Sequence, residues 1–570
     1  MPELELILRY SGDSDALRAA LQSHTSVNLP AALPSLADAV FSNFIPLLAG
    51  FAIIRIPAEF VPALTSISEI YYIEPPSTLF YADTPALRAT CVPPLSQAPY
   101  NLTGNGVLMG IADSGIDVTH PDFQNAEGQS RILVLWDQTA ESAASPAASE
   151  ALTPEVPYGQ VFYPARQNLS EISTYDPTGH GTAVAGLAVG NGRASGGRFS
   201  GAAPGADLAF VKLVSATPGG FPRTTQLLCA VDFLVRTAQK MEMPLVLNLS
   251  YGNNYGAHNG SSILEQYLDA IASYERLLIV TGSGNERASA IHTTLRLVTP
   301  EPVTTQFGIP SYQTTCNLQI WCAPEDQFRI ELRSPSGESI QLPDANALRL
   351  SREYTLHEQQ LAVFFEPPAP FNPLCQYFLT FYPDNSFLPP GIWTIRIEPI
   401  RIRTGIFECW FSDQNTLQPG TRFYNATPET TVTIPGTARS VLTVGAWDSA
   451  RQSLADFSGI GPTTDGRIKP DLLAPGVSLT APAPGGGYRS VTGTSFAAPI
   501  ASGTAALLME WGIIRGNNPF LYGERLKAQF KKGAVPLNGN NTLPILSPPD
   551  IQTGYGTLCA RSSLPDETFL

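Results

Sequence analysis

Over the first 85 residues the apolar positions change spacing several times. Residues 4–10 (LELILRY) and 52–56 (AIIRI) have the texture of strands, and residues 15–21 have helical spacing. Residues 59–70, apolar at Phe60, Ala63, Leu64 and Ile67, predict a second helix, and residues 71–73 return as a strand. Strand, helix, strand, helix, strand is the order of a ferredoxin-like module. Proline and small residues dominate 75–100, as expected of a linker. From about residue 101 the texture changes. Residues 107–112 (VLMGIA) form a near-continuous apolar run, the mark of a parallel strand buried on both faces. Residues 208–213, 245–249 and 277–280 repeat it, and helical spacing at 225–240 and 263–274 lies between. Strands alternating with helices predict an α/β domain with a parallel sheet. Between 291 and 432 the period becomes two, as in 328–333 (FRIELR) and 393–398 (WTIRIE), with turn signals between. That predicts antiparallel strands in a β-sandwich or jelly roll. The α/β texture resumes at 441–444 and in a helix expected over 494–511. The chain therefore reads as 1–90, 91–290, 291–432 and 433–570, with the third segment inserted between two parts of one domain.

Composition narrows the classes. With 570 residues, length alone gives a soft prior of about four units; a core split around an insertion reduces that to three. A 43% hydrophobic share excludes a wholly disordered chain. Net charge −15 argues against a general nucleic-acid or anionic-membrane binder. The start, MPELELILRYSGDSD, has no basic region followed by an apolar core, so no secretory signal is read, and the expected location is cytoplasmic. The longest apolar stretch, 44–54, is too short to span a bilayer and contains Pro46 and Gly50, so no membrane insertion is expected. Seven cysteines lack zinc-ligand spacing, and reduced thiols are expected.

Three motifs carry chemistry. Asp113 begins DSGIDVTHPD at the carboxyl end of the strand VLMGIA, where α/β sheets place functional groups. His180 stands in GHGTAVAG and heads a small-residue helix; Ser495 stands in GTSFAAP and opens another, whose Pro499 fits a first turn. Peptide hydrolysis needs a nucleophile, a base to take its proton and a group to orient that base. Ser495, His180 and Asp113 supply those types. Asn285, in TGSGNE after a strand, can donate to a developing oxyanion.

In order and context, DSGID, GHGT, SGNE and GTSFAAP resemble the subtilisin-like serine peptidases, over about residues 101–289 and 433–535. Ser114 and Phe496 stand where Thr and Met are common in that family. The resemblance implies a three-layer α/β fold, catalytic Asp113, His180 and Ser495, and Asn285 in the oxyanion hole. It also implies a cleft walled by Ser250, Tyr251 and Gly252 on one side and Gly282 to Gly284 on the other, pairing with an extended peptide. The N-terminal module, the inserted β unit, ILVLWDQ at 132–138 and RSPSGE at 333–338 resemble the Csp-type germination subtilases of spore-forming bacteria. That likeness implies a jelly-roll insert, a prodomain acting as intramolecular inhibitor and folding chaperone, a cortex-lytic zymogen as substrate and incorporation into the spore. Residues 63–75 resemble the last helix and strand of a subtilase prodomain, so residues 77–98 are expected to thread the cleft as an extended peptide and to be cut there.

Other residues have plainer readings. His120 is expected to hold a loop; His24, His258, His292 and His357 are expected at surface or loop positions. Many subtilases bind calcium, but Asp117, Asp122 and Asp137 lack a dense run of oxygen ligands and are expected to be solvated; no cofactor is required. Asn248 falls in a core strand although it matches a glycosylation pattern, and Cys229 is expected to be buried in its helix. Two functions stay open: a self-processed serine endopeptidase acting on a protein substrate, or a catalytically silent subtilase fold that binds or regulates a partner.

Overall fold

The computed structural model describes residues 3–23, 36–74, 85–141, 153–215, 221–344, 350–356, 359–537 and 548–565. The chain divides into two compact units, residues 1–81 and 82–570.

In the first unit, strands β1 (Glu3–Tyr10), β2 (Ile45–Leu47), β3 (Phe51–Pro57) and β4 (Ile70–Glu74) form one antiparallel sheet in the order β2-β3-β1-β4. Helices α1 (Ser14–Ser23), α2 (Leu36–Ser42) and α3 (Val61–Leu64) complete it. Leu8, Leu17, Leu21, Val40, Ile54, Ile56, Phe60 and Leu64 fill its core. This is the ferredoxin-like arrangement, with β2 and α2 added to what the pattern showed. The helix expected over 59–70 is present but stops early, as a 3₁₀ turn over Ala58–Phe60 running into α3. The Thr65 hydroxyl donates to the Pro62 carbonyl and the Ser66 hydroxyl to the Ala63 carbonyl. Such local bonds compete with helix continuation.

The second unit opens with α4 (Pro85–Ala89) and α5 (Pro93–Ser96), whose Ala86, Leu87, Val92 and Leu95 are buried in the main core. The linker expected over 75–100 is thus a packed part of the domain from residue 85 onward. Residues 75–84, where part of the expected extended peptide falls, lie outside the described residues. Cys91 is joined by a disulfide to Cys559, which overturns the expectation of reduced thiols for that pair. Cys316, Cys322, Cys375 and Cys409 are buried and free, and Cys229 is only half-buried.

The main sheet runs β23 (Ser453–Leu454), β22 (Leu442–Asp448), β10 (Leu277–Gly282), β9 (Leu245–Leu249), β5 (Leu108–Asp113), β8 (Asp207–Lys212), β6 (Ile132–Asp137), β7 (Gln160–Phe162), with β24 (Leu472–Pro475) also on β22. Its pairs are parallel except β6 with β7 and β22 with β23. On one face, α7 (Thr224–Lys240) and α8 (Ile263–Ile271) cover Leu108, Val211, Leu247 and Ile279. On the other, α6 (His180–Val189), α9 (Thr494–Met509) and α10 (Gly523–Gly533) cover Met109, Ile111, Phe210 and Val280. This is the expected three-layer α/β architecture. Helix α9 runs on as a π-helix over Glu510–Ile514. Residues 494–514 are long and apolar enough to cross a membrane, but 89% of that apolar window is buried in the fold. The hairpin β25 (Leu479–Ala483) with β26 (Gly487–Val491) leads into α9.

Between β10 and β22 lies a sandwich of two antiparallel sheets. One runs β11 (His292–Arg296), β20 (Ile406–Phe411), β13 (Cys316–Cys322), β18 (Cys375–Pro383), β17 (Gln359–Glu366), β16 (Leu350–Leu356). The other runs β15 (Ser339–Gln341), β14 (Gln327–Arg333), β19 (Gly391–Arg401), β12 (Val303–Ile309), β21 (Arg422–Phe423). Phe307, Phe381, Trp393, Phe407 and Phe411 share the core between them, separate from that of the parallel sheet.

Two histidines expected at surface or loop positions are buried where the sandwich meets the α/β layers. His258 and His292 both stack on Trp410, at 4.1 and 4.7 Å between ring centroids. His24 and His357 lie outside the described residues.

Candidate active site

Loops after parallel strands all leave from one edge of the sheet, and here that edge gathers the motif residues. Asp113 ends β5 and is wholly buried. Its Oδ1 accepts the Ser114 amide at 2.7 Å and the His180 Nδ1–H at 2.7 Å. An ionised carboxylate only accepts, so the bond places the proton on Nδ1 and leaves Nε2 free as a base.

His180 opens α6 between two glycines that the packing requires. Gly179 has φ 69°, and a Cβ on Gly181 would fall 2.2 Å from the Gly115 carbonyl oxygen. Burial disfavours the His180 imidazolium, but the charge and hydrogen bond of Asp113, with Asp176 behind it, outweigh that and raise its pKa above 6.5.

Asp176 was not singled out from the sequence. It is 6% exposed and accepts the Ser114 hydroxyl, the Gly179 amide, and the Thr182 amide and hydroxyl at 2.8–2.9 Å. It thereby caps the first turn of α6 and sets the direction in which His180 leaves the helix. An Asp four residues ahead of the histidine, in DPTGH, was the available signal.

Ser495 is the second residue of α9, where backbone N–H groups have no intrahelical acceptor. Its hydroxyl donates to the Ser250 carbonyl at 3.3 Å. The Ser250 hydroxyl donates back to the Ser495 carbonyl at 3.0 Å, and Asn248 bridges Ser250 to Ser502 of α9 with two 2.9 Å bonds. Asn248 is thus a buried tie between β9 and the nucleophile helix. Among the described residues Ser495 makes no bond to His180. Such a bond is often loose before substrate arrives, and the Ser250 bond is long enough to exchange. The Phe496 ring packs 5.1 Å from the imidazole, so the Phe that replaces the usual Met shields the base without displacing it.

Asn285 Oδ1 accepts the Thr494 amide at 3.0 Å and the Thr494 hydroxyl at 3.1 Å. An amide N–H must meet oxygen, so the Asn285 side chain is fixed with its NH2 toward the cleft. The Asn285 Nδ2 and the Ser495 amide are two donors for one oxyanion. Thr494, also missed in the sequence, orients the first of them.

Thr178, His180, Ser250, Tyr251, Gly252, Gly282, Gly284, Asn285 and Ser495 line one cleft of about 940 Å³. Every expected site residue is there except Asp113, which lies beneath His180. The exit segment of the sandwich joins them: Asp413, Asn415 and Thr416 also line the cleft, and Gln414 donates to the Asn285 carbonyl at 3.2 Å. Burial, then the charge of Asp413, pushes the Glu286 carboxyl up to about 8.

The carboxylates considered for calcium are engaged by protein donors rather than solvated. Asp117 takes Thr119 and the Gly485 amide; Asp122 takes Tyr488 and the Ala194 amide; Asp137 takes Thr139, Thr174 and Lys212. Among the described residues no three metal-ligating side chains gather. His120 is buried in its loop, its Nδ1 accepting the Asp122 amide.

Comparison with known proteins matches this geometry. The model of the subtilase family (Peptidase_S8) fits residues 104–348 and 413–528, well over half of the chain. The structure of the Clostridium perfringens CspB protease is similar at 31% identity and TM-score 0.74, over 84% of this chain and 96% of that one. Serine protease AprX of Bacillus subtilis is 34% identical over 164 residues, 25% of this chain and 34% of AprX. Minor extracellular protease Vpr of Bacillus subtilis is 22% identical over 527 residues, 86% of this chain and 57% of Vpr. The chain therefore spans between about a third and just over half of the length of these two curated relatives.

Proposed function

Because the chain belongs to the subtilase family of serine peptidases, we propose that it is a serine endopeptidase that cuts an extended segment of a protein substrate. The observation that carries this is the 2.7 Å bond between Asp113 and His180 beside a cleft that holds Ser495 and Asn285. His180 Nε2 takes the Ser495 proton as Oγ attacks the scissile carbonyl. Asp113 holds the tautomer and stabilises the imidazolium. The oxyanion collects the Asn285 and Ser495 N–H groups, and His180 returns its proton to the leaving amine. Water then repeats the cycle on the acyl-enzyme. Each group in this sequence belongs to the chain itself, so no cofactor is proposed. A fluorophosphonate should label Ser495 covalently, and Ser495→Ala should abolish the label. Folded wild-type protein that takes no label would leave the partner-binding reading instead.

Three finer readings go with it. Residues 1–81, a ferredoxin-like unit, are proposed as a prodomain that folds with the enzyme, inhibits it and is cut away by it. Helices Pro85–Ala89 and Pro93–Ser96 are seated in the core, which supports a cut ahead of them, within 77–84, as the proposal. N-terminal sequencing of active protein should find a new terminus there; an intact chain with full activity would count against it. The likeness to CspB, with the resemblance to germination subtilases, supports a cortex-lytic enzyme precursor as substrate and a location in the cytoplasm or the spore. Incubating purified precursor with wild type and Ser495→Ala tests the substrate. No nucleic acid and no membrane enter this reading.

A further inference from the structure

The sandwich is inserted between β10 and β22, and one of its turns comes back to the active site. Residues 412–416 (SDQNT) follow β20, and Gln414–Thr416 form a 3₁₀ turn. The composition fixes its shape, because Asp and Thr side chains here bond to nearby backbone groups. The Asp413 carboxyl accepts the Asn415 amide at 2.7 Å, and the Asp413 carbonyl accepts the Thr416 amide at 3.1 Å and the Thr416 hydroxyl at 2.9 Å. Phe411, just before the turn, is wholly buried in the sandwich core, and Leu417, just after it, packs on that core. The Asn254 amide donates to the Ser412 carbonyl at 3.3 Å and ties the turn to the loop after β9. The turn is a fixed projection of the sandwich toward the cleft.

Gln414 uses both ends of its amide there. Nε2 donates to the Asn285 carbonyl at 3.2 Å, and Oε1 accepts the Ser289 hydroxyl. A carbonyl oxygen only accepts, so the NH2 must face Asn285 and the amide has one orientation. Among the described residues Gln414 is the only donor to that carbonyl. The Asn285 side chain is held separately, by the Thr494 amide and hydroxyl. Gly284 precedes Asn285 with φ 92°, so no side chain packs the main chain in place on that side. Asn285 therefore rests on two supports, Thr494 from the nucleophile helix and Gln414 from the insertion.

We propose that Gln414 is a positioning residue for the oxyanion hole, through which the inserted sandwich braces the Asn285 main chain and so aims its Nδ2 at the oxyanion. The donor's effect depends on its distance from a charge that exists only in the transition state. A brace of this kind raises kcat and leaves ground-state binding of the peptide unchanged. This rests on the peptidase reading above and adds a working part to it.

The experiment measures kcat and KM on one peptide substrate, with protein purified from the full-length chain. Gln414→Ala should lower kcat about 10-fold and change KM less than about 2-fold; a misplacement of about 1 Å can cost about 100-fold, and loss of the donor itself about 10²–10³-fold. Gln414→Met keeps the length of the side chain and removes both hydrogen bonds, and it should show the same loss. A double-mutant cycle separates positioning from a general loosening of the fold. In an Asn285→Ala background Gln414→Ala should change kcat less than about 2-fold, because the donor it positions is gone. Wild-type kcat in a folded Gln414→Ala or Gln414→Met, a loss carried by KM, or an equal loss in both backgrounds would overturn the proposal. Failure of the peptidase reading looks different: no fluorophosphonate label on Ser495 and no cleavage of any peptide by wild type.

Discussion

His180 and His258 lie in the same unit, the first half-buried and the second buried, each beside an aromatic ring and each with Nδ1 engaged. What differs is the partner. Nδ1 of His180 meets the Asp113 carboxylate, and its pKa rises despite burial. Nδ1 of His258 meets the Val432 carbonyl at 2.8 Å; burial pushes its pKa down to about 4, and the neighbouring His292 adds to the fall. A carbonyl dipole does not offset the desolvation of an imidazolium, whereas a full charge does. Burial without a charged partner thus leaves His258 a packing element, whereas the carboxylate behind His180, at the edge of the cleft, fits it to serve as a base.

The comparison breaks most sharply at the carboxylate. Asp113→Asn should lower kcat by about 10⁴-fold, the scale of losing the orienting acid of such a triad, measured on a peptide substrate. A loss below 10-fold would remove Asp113 from the mechanism. At the other histidine the large effect is on stability. Trp410→Ala removes the ring on which His258 and His292 both stack and should cost about 3–5 kcal/mol in urea unfolding, measured in a Ser495→Ala background to prevent self-digestion.

The pH responses sharpen the same contrast. With His180 as the proposed base, its raised pKa puts the acid limb of kcat/KM above pH 6.5; a limb below 6 would contradict the assigned Asp113 bond. His258 folds neutral with a depressed pKa, so its contribution to stability is whole above pH 6.5 and is lost as pH falls through about 4. His258→Gln should flatten that part of a stability–pH profile. The smallest effect is at Glu286, whose raised pKa works in the opposite sense. Its contribution is whole below the ordinary carboxyl value and is lost as pH rises through about 8. Glu286→Gln should therefore raise Tm by roughly 2–4 °C at pH 9 and leave it unchanged at pH 4.

Much of this was legible in the sequence because certain local patterns admit few structures. A continuous apolar run ending in Asp113, a histidine between glycines and a serine opening a small-residue helix each point to one place in a parallel sheet. The period-two texture of 328–333 likewise announced β14. What escaped depends on residues distant in the chain. His258 looks like a loop residue until Trp410, some 150 positions later, is folded over it. Thr494 has no evident task until Asn285, 209 positions earlier, is folded against it. The helix expected over 59–70 stops early for a local reason, since Thr65 and Ser66 turn their hydroxyls onto the preceding carbonyls.

The bond between Cys91 and Cys559 changes the topology of the larger unit. It joins residues 468 positions apart, so the stretch between them is a covalent ring. Within that stretch no end is free for unravelling to begin. Release of the first 81 residues would expose only a short tail ahead of a closed loop. Under the proposed activity the places open to self-cleavage are then loops within the ring, and a nick in one of them leaves the two pieces joined.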